Sequence, residues 1–192
     1  MRINEIFYSL QGEGFWTGTP MVFVRFAGCN LKCPFCDTEW TSYREMSLGE
    51  ILSTLRQYPS KKVCITGGEP CLQVTDEFVD ALHEAGYTLH MESNGTLIPP
   101  KGIDWLTVSP KEPFIGTGKA RVAVQQCDEL KLLYPCNPEQ FDHIKATYRF
   151  LQPIDTDNKE TSARNTADTI QYICDHPQWR LSLQTHKLLN IK

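Results

Sequence analysis

Residues 21–40 read MVFVRFAGCNLKCPFCDTEW, and the fold follows from how this stretch divides. Met21 to Phe26 is a run of β-branched and aromatic residues with one charge, Arg25, which is the composition of a strand. The run stops at Gly28. A short loop then places Cys29, Cys33 and Cys36 within eight residues. A strand that ends in a polar, glycine-containing, reactive segment recurs along the chain. It recurs at Thr66-Gly67-Gly68-Glu69-Pro70, Glu92-Ser93-Asn94-Gly95, Ser109-Pro110-Lys111, Gln152-Pro153 and Gln184-Thr185-His186. In a parallel barrel the C-terminal strand ends share one rim, and active sites collect there.

Reading outward, Ile3 to Tyr8 is a short strand before a Gly-rich turn. Ser47 to Tyr58 reads as a helix with Ser47 and Glu50 as a capping box and Leu48, Ile51, Leu52 and Leu55 on one face. Lys62 to Thr66 is a buried type of strand. Thr75 to Ala85 is a helix with Phe78, Val79, Leu82 and Ala85 inward and Gly86 at its C-cap. Further strands are expected at 87–92, 105–109, 130–134, 147–152 and 180–184, and helices at 138–145 and 166–175. Pro99-Pro100-Lys101-Gly102 is too short for a crossover helix. The alternation predicts βαβ units around a parallel sheet. A closed eightfold barrel typically takes about 250 residues, against 192 here. The expected fold is therefore α/β, an open, partial (β/α) barrel of about six parallel strands, in a single domain over 1–192.

The composition narrows the function. A 41% hydrophobic fraction supplies a core, and 22% charged residues argue against wholesale disorder. The balance of 19 basic and 23 acidic residues leaves a net charge of −4, which argues against nucleic acid as a general partner. No apolar run approaches the ~20 residues of a membrane span. The N-terminal stretch lacks the pattern of a secretory signal. Eight cysteines without that signal point to free thiols in a reducing cytoplasm.

Five cysteines are scattered and three are clustered. A structural zinc site wants four ligands, and an ordinary [4Fe–4S] cluster wants four thiolates. Three thiolates on one tight loop suggest a cluster with one iron left open to a small molecule. The plainer reading is a zinc knuckle completed from afar by Cys64, Cys71, His83 or His90.

This loop, with Phe35 before its last cysteine, resembles the radical S-adenosylmethionine (SAM) superfamily. Gly67-Gly68-Glu69-Pro70 is similar to that family's segment receiving the SAM ammonium on backbone carbonyls and a carboxylate. Alone it would read as a Gly-Gly turn before a helix. Glu92-Ser93-Asn94-Gly95 is similar to the ribose-contacting segment, and alone would be an Asn-Gly turn. The segments Leu10-Gln11-Gly12-Glu13-Gly14, Ser109-Pro110-Lys111 and Gln152-Pro153-Ile154-Asp155, with the closing Gln184-Thr185-His186-Lys187, resemble the 7-carboxy-7-deazaguanine synthases of the queuosine pathway. That resemblance covers nearly the whole chain. It implies a homodimeric lyase using a [4Fe–4S] cluster, SAM and Mg²⁺, with a flavodoxin-type reductant. The small-molecule substrate would be 6-carboxy-5,6,7,8-tetrahydropterin, whose ring contracts to 7-carboxy-7-deazaguanine with loss of ammonia.

Carried over residue by residue, the resemblance implies that Cys29, Cys33 and Cys36 hold the cluster. It places SAM against Phe35, Cys36, Asp37, Gly68, Glu69, Ser93, Ser109, Pro110, Lys111, Gln152, Pro153, Ile154 and Asp155. Thr38 matches the magnesium position, although a hydroxyl there also suits a turn cap. Leu10, Gln11, Gly12, Glu13, Arg25, Thr66, His186 and Lys192 match substrate contacts, Lys192 through its terminal carboxylate, which makes a C-terminal tag hazardous. By itself Arg25 reads as an ion-pair member and His186 as a structural histidine. His83, His90, His143 and His176 match no motif, and Cys64, Cys71, Cys127, Cys136 and Cys174 read as free thiols without a role. Two other readings compete: a glycyl-radical activase, disfavoured by the Gln11 loop and the Gln184 segment, and a zinc-stapled binding module.

Overall fold

The structure is a computed structural model describing residues 1–192, apart from the side chain of Thr117. One sheet runs through it. Strands β1 (Arg2–Leu10) and β2 (Pro20–Phe26) form an antiparallel pair, and the two-residue β3 (Arg44–Glu45) caps the outer edge of β1. Helix α1 (Leu48–Leu55), β4 (Lys62–Gly67), α2 (Asp76–Glu84), β5 (Thr88–Ser93) and β6 (Trp105–Val108) follow. Two single-turn helices, α3 (Glu112–Ile115) and α4 (Thr117–Ala120), lead to β7 (Gln126–Tyr134) and β8 (Lys145–Pro153). Helix α5 (Lys159–Asp175), β9 (Arg180–Leu181) and α6 (Thr185–Leu189) complete the chain.

The sheet order is β3-β1-β2-β4-β5-β6-β7-β8-β9. Every pair from β2/β4 to β8/β9 is parallel, so six full strands and a two-residue seventh form the parallel part. β3 and β9 are the two ends of this order, so the sheet stays open.

The expected elements form where local chemistry is strong. Ser47 Oγ accepts from Glu50 N at 3.3 Å, and Glu50 Oε2 accepts from Ser47 N at 2.7 Å, which closes the capping box of α1. Thr75 caps α2, and Gly86 follows it at φ +80°. The departures have local reasons. The helix expected at 138–145 is only a turn of 3₁₀ helix at Pro138–Phe141. Parallel pairing with β7 draws Lys145 and Ala146 into β8. Helix α5 begins at Lys159, seven residues before the expected start, capped by Asn158 Oδ1 on Thr161 N at 2.9 Å. Its first turns carry no apolar stripe to announce them. The strand expected to reach Gln184 ends at Leu181.

Strand periodicity sorts residues between two faces. Val22, Val24, Phe26, Val63, Ile65, Leu89, Met91, Leu130, Leu132 and Leu151 join Ile51, Leu55, Phe78, Val79 and Leu82 in the main core on the helix side. The alternate residues point inward. Register aligns Arg25 with Thr66, Glu92 with Thr107, and Thr107 with Glu129, so one polar layer crosses the inner face.

Candidate active site

A cavity of about 530 Å³ opens at the C-terminal ends of the parallel strands. Cys29, Cys33 and Cys36 line one wall. Gly28 ends the strand run at φ +89° and turns the chain into the cysteine loop. Inside that loop Leu31 N donates to Cys29 Sγ at 3.4 Å, and Cys36 N donates to Cys33 O at 3.2 Å. Burial, above all, pushes the Cys29 and Cys33 thiols up, and Lys111 acts in the opposite direction on both. Metal coordination would deprotonate them outright.

The neighbouring segments are stitched to this loop. Gly68 N donates to Phe26 O at 3.0 Å and Glu69 N to Gly28 O at 2.9 Å. A Cβ on Gly68 would stand 2.0 Å from Gly28 O, so two backbones meet where no side chain fits. Glu69 is fully buried, and its carboxylate accepts from Cys71 N at 3.0 Å, Ser93 Oγ at 2.9 Å and Asn94 N at 2.8 Å. Asn94 Nδ2 donates in turn to Asn30 Oδ1 on the cysteine loop at 3.0 Å. Three motifs separated in sequence thus become one wall.

Lys111 Nζ donates to Ser109 O at 2.9 Å and Ser109 Oγ at 2.6 Å. Burial pushes its pKa down to about 8. The rings of Phe35 and Phe114 pack edge to face, with centroids 4.9 Å apart.

The floor is polar. Glu92 Oε1 accepts from Gln11 Nε2 at 3.0 Å, and Oε2 accepts from Thr66 Oγ1 at 3.1 Å. Glu13 Oε1 accepts from Gln152 Nε2 at 3.1 Å and Gln184 Nε2 at 2.9 Å, and Oε2 pairs with Lys131. Burial would raise the Glu13 pKa, but Lys131 and the amides of Gln184 and Gln152 together hold it below the usual carboxylate range.

Arg25 faces Glu5 across the β1/β2 ladder. Its Nε lies 3.2 Å from Glu5 Oε1 without the alignment of a hydrogen bond, and its Nη1 donates to Thr38 Oγ1 at 3.3 Å. The C-terminal segment closes the rim. Thr185 N and Oγ1 both donate to Gly12 O at 2.9 Å. Lys187 Nζ lies 3.0 Å from Asp37 and 3.5 Å from Asp155, and Lys192 Nζ lies 2.7 Å from Glu5 Oε2.

Of the residues expected at the site, all but two line this cavity. Glu69 is not among the lining residues. Its carboxylate is turned into the wall and engaged by three donors, so the part of its segment that reaches the cavity is the Gly67-Gly68 backbone. Pro110 is absent from the lining, between Ser109 and Lys111, which are both present. The lining also holds Glu5, Glu92, Lys131, Gln184 and Lys187, none of which the sequence reading singled out as a site residue. Strand parity was the available signal for Glu92 and Lys131, since each alternates with core residues of β5 and β7. Cys64, Cys71, His83 and His90, the candidates for completing a zinc knuckle, do not line the cavity with the cysteine loop. Among the described residues, no three His, Cys, Asp or Glu side chains gather tightly enough to hold a single metal ion.

Comparison with known proteins extends this picture. Residues 23–110 match the model of the radical SAM superfamily. The chain is 46% identical to 7-carboxy-7-deazaguanine synthase of Bacteroides thetaiotaomicron, over 100% of this chain and 98% of that one. It is 41% identical to the enzyme of the same name from Bordetella pertussis, over 98% of each. Among solved structures it resembles QueE from Escherichia coli, with a TM-score of 0.78 and 27% identity over 95% of this chain and 93% of that one. Streptococcus suis SuiB, at 16% identity and a TM-score of 0.56, shares the fold.

Proposed function

The chain belongs to the 7-carboxy-7-deazaguanine synthase family of radical SAM enzymes, and from that premise we propose how its cavity serves the reaction. The reaction converts 6-carboxy-5,6,7,8-tetrahydropterin to 7-carboxy-7-deazaguanine, with loss of ammonia, in queuosine and 7-deazapurine biosynthesis. The observation that carries this reading is the meeting, in one cavity, of the three-cysteine loop, the glycine-rich strand ends and a floor of paired acceptors.

The donor set fits a [4Fe–4S] cluster held by Cys29, Cys33 and Cys36. The thiols share one loop, a backbone N–H already points at Cys29 Sγ, and Lys111 supplies positive charge nearby. When bound, the cluster and SAM supply one-electron reduction and hydrogen-atom abstraction. The protein binds, orients and excludes water. The Gly67-Gly68 backbone, Ser93, Ser109, Lys111, Phe35, Asp37 and the Gln152 to Asp155 run surround the SAM position. Glu69 acts as a positioning residue that locks this wall together.

On the substrate side, Arg25 offers a guanidinium to the pterin carboxylate, a geometry suited to bidentate pairing. Leu10, Gln11, Gly12, Glu13 and Thr66 take the pterin rings, with His186 and Lys192 closing the rim. Thr38 provides one hard oxygen beside Arg25, which suits Mg²⁺ that completes its shell with water and a substrate carboxylate. A homodimer, a flavodoxin-type reductant and a cytoplasmic setting complete the reading. Family membership supports the first two, and the oxidant sensitivity of a three-thiolate cluster site supports the last. Among the described residues, no helix is long and apolar enough to cross a membrane.

The test is direct. Anaerobically reconstituted, reduced protein with SAM, Mg²⁺ and carboxytetrahydropterin is expected to release an ultraviolet-absorbing deazaguanine and ammonia. SAM cleavage without that product would sink the assignment in favour of an activase. Zinc-loaded, iron-free protein after reconstitution would point to a binding module.

A further inference from the structure

Lys131 is the cation at the centre of the cavity floor, and no motif announces it. It sits on the inner face of β7 with its side chain 7% exposed, paired to Glu13, whose side chain is 15% exposed. Its ion-pair partner is Glu13, from the loop after β1, while Glu92 on β5 and Glu129 on β7 act on it through their charge. Lys111 is a second, more distant cation whose charge Lys131 opposes, and the buried Cys64 lies within reach of its field.

The three carboxylates are not equivalent. Glu129 is outside the cavity lining and accepts from Phe15 N at 3.0 Å, and burial raises its pKa. Glu13 and Glu92 both line the cavity. Each receives protein donors: Gln152 and Gln184 on Glu13, and Gln11 and Thr66 on Glu92. An ionised carboxylate only accepts and has about four lone-pair sites, so each keeps capacity for N–H donors from a ligand. A protonated one would present O–H instead and clash with such a donor. The ammonium in contact with Glu13 biases that carboxylate toward the ionised form.

We propose that Lys131 is a positioning and specificity residue that holds Glu13 as an acceptor which, beside Glu92, reads the 2-amino-pyrimidine edge of the substrate. This rests on the functional reading above and adds to it which part of the substrate the floor reads. The 2-amino group with its adjacent ring N–H is the amidine-like donor edge that two acceptors select, while the substrate carboxylate is read at Arg25.

The experiment measures binding to SAM-loaded, unreduced protein by anaerobic calorimetry, so that no turnover intervenes. The probes are 6-carboxytetrahydropterin and its counterpart with a 2-oxo group in place of the amine. The parent protein is expected to prefer the amino compound by at least about tenfold. Lys131→Met is expected to lose about tenfold or more in affinity for it and most of that preference, with SAM affinity and the electron paramagnetic resonance spectrum of the cluster unchanged. Lys131→Met/Glu129→Gln removes a carboxylate outside the cavity lining together with the cation. It keeps the charge balance of the floor and is the variant to read if the single one does not fold; the same losses are expected. Pterin affinity within about twofold of the parent in the variant that is read overturns the proposal. Equal losses for SAM and both pterin probes also overturn it, because they mark a merely structural role. A parent that binds neither pterin probe overturns the functional reading beneath it.

Discussion

Arg25 shows how a residue can satisfy two readings at once. As the only charge in a strand of apolar residues, it invites an ion pair, and Glu5 supplies one at 3.2 Å. That pair lies off the N–H axis, and the guanidinium still lines the cavity beside Thr38. Glu5 also holds Lys192, so losing the arginine leaves it with a partner. Arg25→Ala is therefore expected to fold, to bind SAM as the parent does, and to bind substrate about tenfold to a hundredfold more weakly, the range for a lost charge-assisted contact. Titration with SAM and with substrate, run separately, checks it. A parallel loss for both ligands would place Arg25 in the scaffold instead. Its place in a strand was legible from the composition of residues 21–26. Its partner was not, because Glu5 meets it only through the antiparallel register of β1 and β2.

Elements matter here mainly through where they stop. Phe26 ends β2 and Gly67 ends β4, and the next residues bring two loop backbones into contact at Gly28 and Gly68. A side chain at Gly68 has nowhere to go: its Cβ would lie 2.0 Å from Gly28 O and 2.6 Å from Gly28 C. Gly68→Ala is expected to cost about 2 kcal/mol or more by forcing backbone apart, a fall of about 5 °C in Tm, with a lower iron content after reconstitution. Gly49→Ala, at an exposed position of α1 with nothing within 4 Å of the new Cβ, is the control and should be neutral or stabilising by a few tenths of a kcal/mol. Thermal melts of the two variants separate close approach from a general intolerance of alanine. Elements with strong local signals, such as the capping box of α1 and the stripe of α2, were legible in sequence. Helix α6 and the first turns of α5 were not. They lack apolar periodicity, and in α5 only Thr169 is buried.

The whole molecule stacks two chemistries back to back across one sheet, an apolar core on the helix side and a polar interior on the other. His90 belongs to the second. It alternates with Leu89 and Met91 on β5 and packs against Trp16, with ring centroids 5.0 Å apart. Burial and Lys62 depress its pKa to about 4. The folded protein then resists protonating a group that the unfolded chain protonates near 6.5. Its contribution is intact above about pH 6.5 and is lost as pH falls toward 4, by about 3 kcal/mol in all. His90→Phe is expected to remove this part of the acid sensitivity. Between pH 7.5 and 4.5 the parent's urea midpoint should fall relative to the variant's, and parallel curves would show that His90 does not titrate as described.

The sequence by itself determined the parallel α/β class, the three-cysteine loop and the polar rim at the strand ends, while the individual contact residues came from the family resemblance. Those features rest on local patterns: strand composition, caps, cysteine spacing and the polar segments after each strand. Only the tertiary structure decided that Glu69 faces the wall, that Glu5 pairs with Arg25, and that Lys131 pairs with Glu13. Each of these depends on strand register and loop closure between residues far apart in the chain, and such pairings leave no periodic trace in either partner's own neighbourhood.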